Sequence, residues 1–156
     1  MQPSIKNGLI VGGIGFFITL VVSSIIGVCG PFIMLAGGAI AGLLTARATT
    51  YATQGACVKN SAISGAVAGM LMLFGQIIAA MLSLVILQAT NTPPPFGSLP
   101  QSDAEQIGFW IGGLISGFCI GGFGVLLGAG AGAGAGAMAW RKPEHPTYGP
   151  PPQQTY

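Results

Sequence analysis

The stretch GGLISGFCIGGFGVLLGAGAGAGAGAMAW, residues 112–140, decides the fold of this chain. It contains no charged side chain, is dense in glycine and ends at Trp140. A β segment of this composition would leave backbone groups unpaired in lipid, which is strongly unfavourable. A dinucleotide-binding loop would need a preceding strand and an acidic residue about 20 positions later, and the sequence indicates neither. We therefore predict a helix that packs very closely against its neighbours.

The composition of the whole chain indicates that most of it lies in lipid. Charged residues make up 5% of the 156 positions, against roughly 25% in ordinary soluble domains. The mean hydropathy is +0.74. So few charged side chains cannot cover a soluble fold of this size, and the net charge of +2 is too small to favour nucleic-acid binding. We expect an all-α integral membrane protein.

Four apolar segments predict four membrane-spanning helices, at about residues 8–28, 31–46, 62–87 and 107–139. The first segment is longer than the apolar core of a signal peptide, so we interpret it as a span. Gly30 and Pro31 follow it and predict a tight helical hairpin. The expected fold is a four-transmembrane-helix bundle of two hairpins over residues 1–140. Residues 141–156 are rich in proline and predict a disordered cytoplasmic tail.

The basic residues all fall on one side of the predicted spans. The opposite loops carry Asp103 and Glu105 instead. Because cytoplasmic loops are enriched in lysine and arginine, we expect a multi-pass plasma (cytoplasmic) membrane protein with both termini in the cytoplasm. Trp110 and Trp140 lie near the two ends of the fourth span, as interfacial tryptophans do. The basic residues are Lys6, Arg47, Lys59, Arg141 and Lys142.

The two predicted hairpins resemble each other in sequence. IKNGLIVGGIGFFITL, from Ile5, aligns with VKNSAISGAVAGMLML, from Val58. AGGAIAGL, from Ala36, aligns with IGGLISGF, from Ile111. A duplicated unit with an even number of spans predicts two parallel units related by a pseudo-two-fold axis along the membrane normal. The alternative is a chance similarity between glycine-rich helices.

Glycines recur at spacings of three and four residues in the spans, so they line one face of each helix. In lipid, helices associate through close packing, which small residues permit. The fourth span alternates alanine with glycine near its cytoplasmic end, so we expect more than one neighbour there, including a second subunit. The predicted packing glycines are Gly38, Gly42, Gly65, Gly69, Gly113, Gly117, Gly121, Gly124, Gly128, Gly132 and Gly136.

Polar side chains are scarce in the spans, and none between the interfaces is ionisable. Intramembrane ionisable residues usually mark function, and the lone His145 lies in the tail. We therefore expect no enzymatic activity, no cofactor and no metal site. Ser23 and Gln76 are candidate polar lining residues. They would either form a constriction for a small solute or make interhelical hydrogen bonds.

Residues 36–75, AGGAIAGLLTARATTYATQGACVKNSAISGAVAGMLMLFG, carry a resemblance to a known class of proteins. A Gly-Gly-x-x-Ala-Gly second span, a short basic loop and a Gly-Ala-x-x-Gly third span follow one another. This order resembles small glycine-rich four-span prokaryotic membrane proteins of unknown function. The resemblance covers about a quarter of the chain. It implies a four-helix architecture in a bacterial or archaeal cell membrane, and it implies no site residues.

These patterns support two functional hypotheses. The first is an accessory, assembly or scaffold subunit of a membrane complex or homo-oligomer, with the lipid bilayer and either other membrane subunits or itself as partners. The alternative is a small channel or facilitator for a neutral or weakly polar solute. In the first hypothesis the tail is a candidate partner peptide through Tyr148, Pro150, Pro151, Pro152 and Tyr156.

Overall fold

A computed structural model describes residues 2–25, 29–93, 100 and 102–141 of the chain. The described residues form four α-helices and no strand. All four helices are long and apolar enough to cross a membrane, so the predicted all-α, four-transmembrane-helix bundle is confirmed. The helices are α1 (Pro3–Ile25), α2 (Gly30–Ala48), α3 (Gln54–Ala89) and α4 (Asp103–Ala139).

Polar capping residues start two of the helices well before the apolar segments begin. α3 starts at Gln54 rather than near residue 62, because Thr53 Oγ1 accepts a hydrogen bond from the Ala56 amide at 3.3 Å. α4 starts before residue 107, because Ser102 and Glu105 form a capping box. Both helices therefore carry a polar first turn outside the apolar span that follows it.

α2 and α3 form the centre of the bundle, and each of them contacts all three other helices. α1 and α4 lie at opposite corners and do not contact each other over the described residues. α1 runs parallel to α3: a Cβ at Gly8 would lie 2.7 Å from Ser64 O, and Ser83 Oγ donates to Ser24 O at 3.2 Å. α2 runs parallel to α4 in the same way, since Gly38 and Gly42 lie against Gly128 and Gly132.

The predicted pseudo-two-fold axis is wrong for this arrangement. Such an axis exchanges α1 with α3 and α2 with α4, so it makes the α1–α4 pair equivalent to the α2–α3 pair. α2 and α3 pack against each other, whereas α1 and α4 do not touch over the described residues. The two hairpins instead lie side by side in the same orientation, with α1 against α3 and α2 against α4.

α2 is the shortest helix, and it starts inside the bundle. Gly30, at its N-terminus, is buried against the side chain of Gln76 in α3. From that level α3 continues to Ala89, about 20 Å further at 1.5 Å per residue. The half of the α3–α4 hairpin that carries the acidic residues therefore projects beyond α2, with Ile111 and Phe118 exposed.

The distribution of side chains is the reverse of that in a soluble protein. The largest fully buried side chains are Met34 and Met72, and most other buried residues are glycine, alanine, serine or threonine. Large apolar side chains point outward: Phe32 is 74% exposed and Leu126 is 71% exposed. An apolar exterior around a small-residue core is what a lipid solvent selects. The chain is accordingly a multi-pass membrane protein.

Candidate functional site: a glycine junction, a buried polar layer and two charged ends

The closest helix contact joins α2 to α4 through glycines on both helices. A Cβ at Gly38 would lie 2.5 Å from Gly128 Cα, and a Cβ at Gly42 would lie 2.6 Å from Gly132 Cα. Carbon atoms in contact prefer separations of about 3.5–4.0 Å, so neither position has room for a side chain. The two backbones therefore touch directly over these turns.

α3 joins the same contact, so three helices meet at Gly128 and Gly132. A Cβ at Gly65 would lie 2.5 Å from Gly128 O, and a Cβ at Gly132 would lie 2.7 Å from Ser61 O. A Cβ at Gly69 would lie 3.1 Å from Val125 Cα. We define Gly38, Gly42, Gly65, Gly128 and Gly132 as the glycine junction.

The other predicted packing glycines line the rest of the interfaces of α4. Gly117 is the looser position, because a Cβ there would lie at an ordinary 3.5 Å from Ala80 Cβ, whereas Gly113 lies tightly against the side chain of Leu84. Tight contacts against Leu73, Met34 and Ser61 are made by Gly121, Gly124 and Gly136, respectively.

Short polar side chains hold the helices together at the glycine junction. Ser61 Oγ donates to Gly42 O, and Ser64 Oγ donates to Ala41 O, both at 3.2 Å. Each bond crosses from α3 to α2. Interhelical hydrogen bonds of this kind average about 0.6 kcal/mol in membranes, so they fix register more than they add stability. Sequence reasoning missed Ser61, although its spacing of three from Ser64 places both residues on one helix face.

The outer face of α4 carries a second set of small residues. A Cβ at Gly130 or Gly134 would meet no atom within 4 Å. These glycines lie on the side of α4 opposite Gly128 and Gly132, because a helix turns about 100° per residue. Ala129, Gly130, Ala133, Gly134 and Ala137 together form what we define as the open face of α4. No described residue of the chain covers its glycines.

Three polar side chains are buried on α1 and α3, and we define them as the buried polar layer. Thr19 is 0% exposed, Ser23 2% and Gln76 3%. Thr19 and Ser23 follow Gly15, which faces Met72, so they lie on the face of α1 that packs against α3. Among the described residues, neither hydroxyl has a hydrogen-bond partner. The structure thus buries both predicted lining residues, Ser23 and Gln76, and adds Thr19 to them.

The described charges separate to the two ends of the bundle. The N-termini of α1 and α3 and the C-termini of α2 and α4 lie at one end, because consecutive helices alternate in direction. Asp103 and Glu105 start α4 at the other end. The described basic residues at the first end are Lys6, Arg47, Lys59 and Arg141.

Trp140 ties the end of α4 to the loop between α2 and α3. Its indole Nε1 donates to Tyr51 O at 3.4 Å, and its backbone amide donates to Gly136 O at 3.1 Å. Trp110, near the other end of α4, is half-buried. The two indoles are separated by about 45 Å of helix, close to the thickness of a bilayer with its headgroups.

The described residues contain no cluster of three His, Cys, Asp or Glu side chains that could hold a metal ion. Cys57 is buried, with Sγ 3.5 Å from Gly136 O, and Cys119 is exposed.

The predicted tail residues Tyr148, Pro150, Pro151, Pro152 and Tyr156 lie outside the described part of the chain. No family model, curated protein or solved structure matches this chain, so the resemblance of residues 36–75 remains a prediction.

Proposed function

We propose that this chain is a non-catalytic accessory, assembly or scaffold subunit that packs, through the open face of α4, against a second copy or another membrane subunit. The observation that supports this proposal is the pair of opposite small-residue faces on one helix. The glycine junction already engages one face within the chain. On the other face, a Cβ at Gly130 or Gly134 would meet no atom of the other described helices within 4 Å. In lipid, a smooth helix face is the feature that favours association with another helix.

Isoleucine substitutions on the open face test this proposal. Gly130→Ile and Gly134→Ile add bulk where a Cβ would meet no atom of the other described helices within 4 Å, so the fold should tolerate them. We expect both to release the partner or split the homo-oligomer. Gly13→Ile on α1 is the matched control, because a Cβ there also meets no atom within 4 Å.

The measurement is particle mass by light scattering and composition by mass spectrometry, after extraction of an N-terminally tagged chain in mild detergent. An unchanged complex with both open-face variants would contradict the proposal. Gly117 and Gly128 are poorer test positions, because both lie against neighbours within the chain: a Cβ at Gly128 would lie 3.0 Å from Met34 O. Their substitution would disturb the fold as well as any assembly.

The proposed location is the plasma (cytoplasmic) membrane, with both termini in the cytoplasm. It is supported by the gathering of the described basic residues at the end that holds Arg47, Lys59 and the last residue of the described chain, Arg141. The proline-rich segment that follows would then be free to engage a cytoplasmic partner through Tyr148 and Tyr156. Protease treatment of sealed cells should leave epitope tags at both termini intact. Cleavage of either tag would contradict the proposed orientation.

The alternative proposal, a small channel or facilitator for a neutral or weakly polar solute, is supported by the buried polar layer. Thr19 and Ser23 bury hydroxyls that have no partner among the described residues, and Gln76 buries an amide. A solute path through this layer predicts that Gln76→Leu alters flux in proteoliposomes. Gln88→Leu, the same change near the end of α3, is the control. Equal flux in the two variants and the native chain would count against transport.

A further inference from the structure

A polar pocket opens at the basic end of the bundle, between the C-terminal ends of α2 and α4. Its volume is about 510 Å³, within the usual range for ligand sites. Arg47 and Arg141 both line it, together with Thr49, Thr50 and Trp140. Two helix ends and the α2–α3 loop therefore bring two arginines and two threonines to one cavity.

Neither arginine has a carboxylate nearby among the described residues. Asp103 and Glu105 start α4 at the opposite end of the bundle, more than 50 Å along the helix at 1.5 Å per residue. A guanidinium stays charged at any physiological pH and presents a fork of N–H donors that matches phosphate oxygens. The carbonyl ends of α2 and α4 offset part of this charge. A pocket with two such groups, lined by threonines rather than carboxylates, favours an anionic ligand.

The position of the pocket along the bundle axis indicates the source of that anion. Trp140 closes one wall and donates its indole N–H to Tyr51 O, and Tyr51 also lines the pocket. Tryptophan and tyrosine concentrate at the level of lipid headgroups. From the pocket towards the acidic end of the bundle, α2 and α4 continue as apolar helices. The cavity therefore opens at the height at which phospholipid phosphates lie.

We propose that this pocket binds the phosphate group of an anionic phospholipid. Arg47 and Arg141 donate to the phosphate oxygens, and the hydroxyls of Thr49 and Thr50 supply further donors. The acyl chains remain in the surrounding bilayer. This proposal does not depend on the assembly role argued above, because the pocket lies at the basic end of the bundle and the open face lies along α4.

The test compares lipid retention between variants with equal loss of charge. The chain is reconstituted in bilayers of phosphatidylcholine with phosphatidylglycerol, extracted gently, and examined by native mass spectrometry for retained phosphatidylglycerol. Arg47→Gln with Arg141→Gln should lower its apparent affinity at least about tenfold, because hydrogen bonds to charged groups are lost. Lys6→Gln with Lys59→Gln removes the same charge from the same end without touching the pocket, and should leave retention nearly unchanged. Equal losses in the two pairs would overturn the proposal.

Further arms separate the other occupants of the pocket. If inorganic phosphate at low millimolar concentration displaces phosphatidylglycerol, and does so only when both arginines are present, the ligand is soluble phosphate rather than lipid. If a chain that ends at Arg141 retains far more phosphatidylglycerol than the full chain, the following segment occupies the pocket. Either result would overturn the lipid assignment. Should the glutamine pair fail to fold, Arg47→Lys with Arg141→Lys keeps both charges and loses the paired donors. It should still weaken retention, and unchanged retention would refute the pocket.

Discussion

Gly42→Ala is the smallest change that tests the glycine junction. The added Cβ would lie 2.6 Å from Gly132 Cα and 2.9 Å from Gly132 C. Carbon contacts are optimal at about 3.5–4.0 Å, so α2 and α4 would have to separate by about 1 Å at this turn. A gap of that size forfeits about a quarter to a half of the dispersion energy of each neighbouring contact, including Gly38 against Gly128. We expect the free energy of unfolding to fall by about 1–3 kcal/mol, as overpacked interiors typically show.

The same alanine at an open position should act in the opposite direction. Gly13→Ala meets no atom within 4 Å, so only the better helix propensity of alanine remains, worth about 0.5–1 kcal/mol. Both variants would be unfolded reversibly in mixed micelles by increasing the SDS fraction, with tryptophan fluorescence reporting the folded fraction. If Gly42→Ala stabilised the protein as much as Gly13→Ala does, the close approach of α2 and α4 would be refuted.

Four further changes test other parts of the structure. Thr19→Val replaces a buried hydroxyl that has no partner among the described residues, so it should raise the free energy of unfolding by about 1 kcal/mol; a loss would mean that the hydroxyl binds water or solute. Ser102→Ala removes the cap of α4 and should cost about 1 kcal/mol, with faster amide exchange confined to the first turn. Gly130→Ile and Gln76→Leu, assayed as above, should lower complex mass and alter solute flux, respectively.

The type of the helices could be predicted from the composition, and their number from the positions of the four apolar segments. A chain with 5% charged residues has to place its apolar segments in lipid, and lipid admits only helices or closed barrels. The boundaries were less readable, because apolar content shows where a helix enters lipid and not where its hydrogen bonds begin. The Thr53 cap and the Ser102–Glu105 capping box were local signals that would have placed two of the starts correctly.

Which helix packs against which could not be read from the sequence in the same way. Glycine spacing identifies a smooth face, but nearly every span has one, and smooth faces fit many partners. The pseudo-two-fold axis failed for this reason: the matching glycines of the two halves have different neighbours. Gly38 lies against Gly128, whereas its predicted counterpart Gly113 faces Leu84. Two residues of the buried polar layer, Ser23 and Gln76, were predicted because they stand out as polar residues in apolar sequence. Thr19 was not predicted, because its position in the first span does not distinguish it from the residues around it.

α2 is much shorter than α4, so the apolar surface of the molecule has two different lengths along the membrane normal. α2 has 19 residues, about 28 Å of helix, and α4 has 37, about 55 Å. A bilayer cannot match both, and hydrophobic mismatch costs fractions of a kcal/mol per Å. Because α2 nearly matches a hydrocarbon core of about 30 Å, we expect the bilayer to thicken beside the longer α3 and α4, or the whole bundle to tilt. When two such thickened rims overlap, the bilayer is deformed once instead of twice. We therefore expect lipid elasticity to favour approach of the long sides of neighbouring molecules, without any direct contact between their side chains.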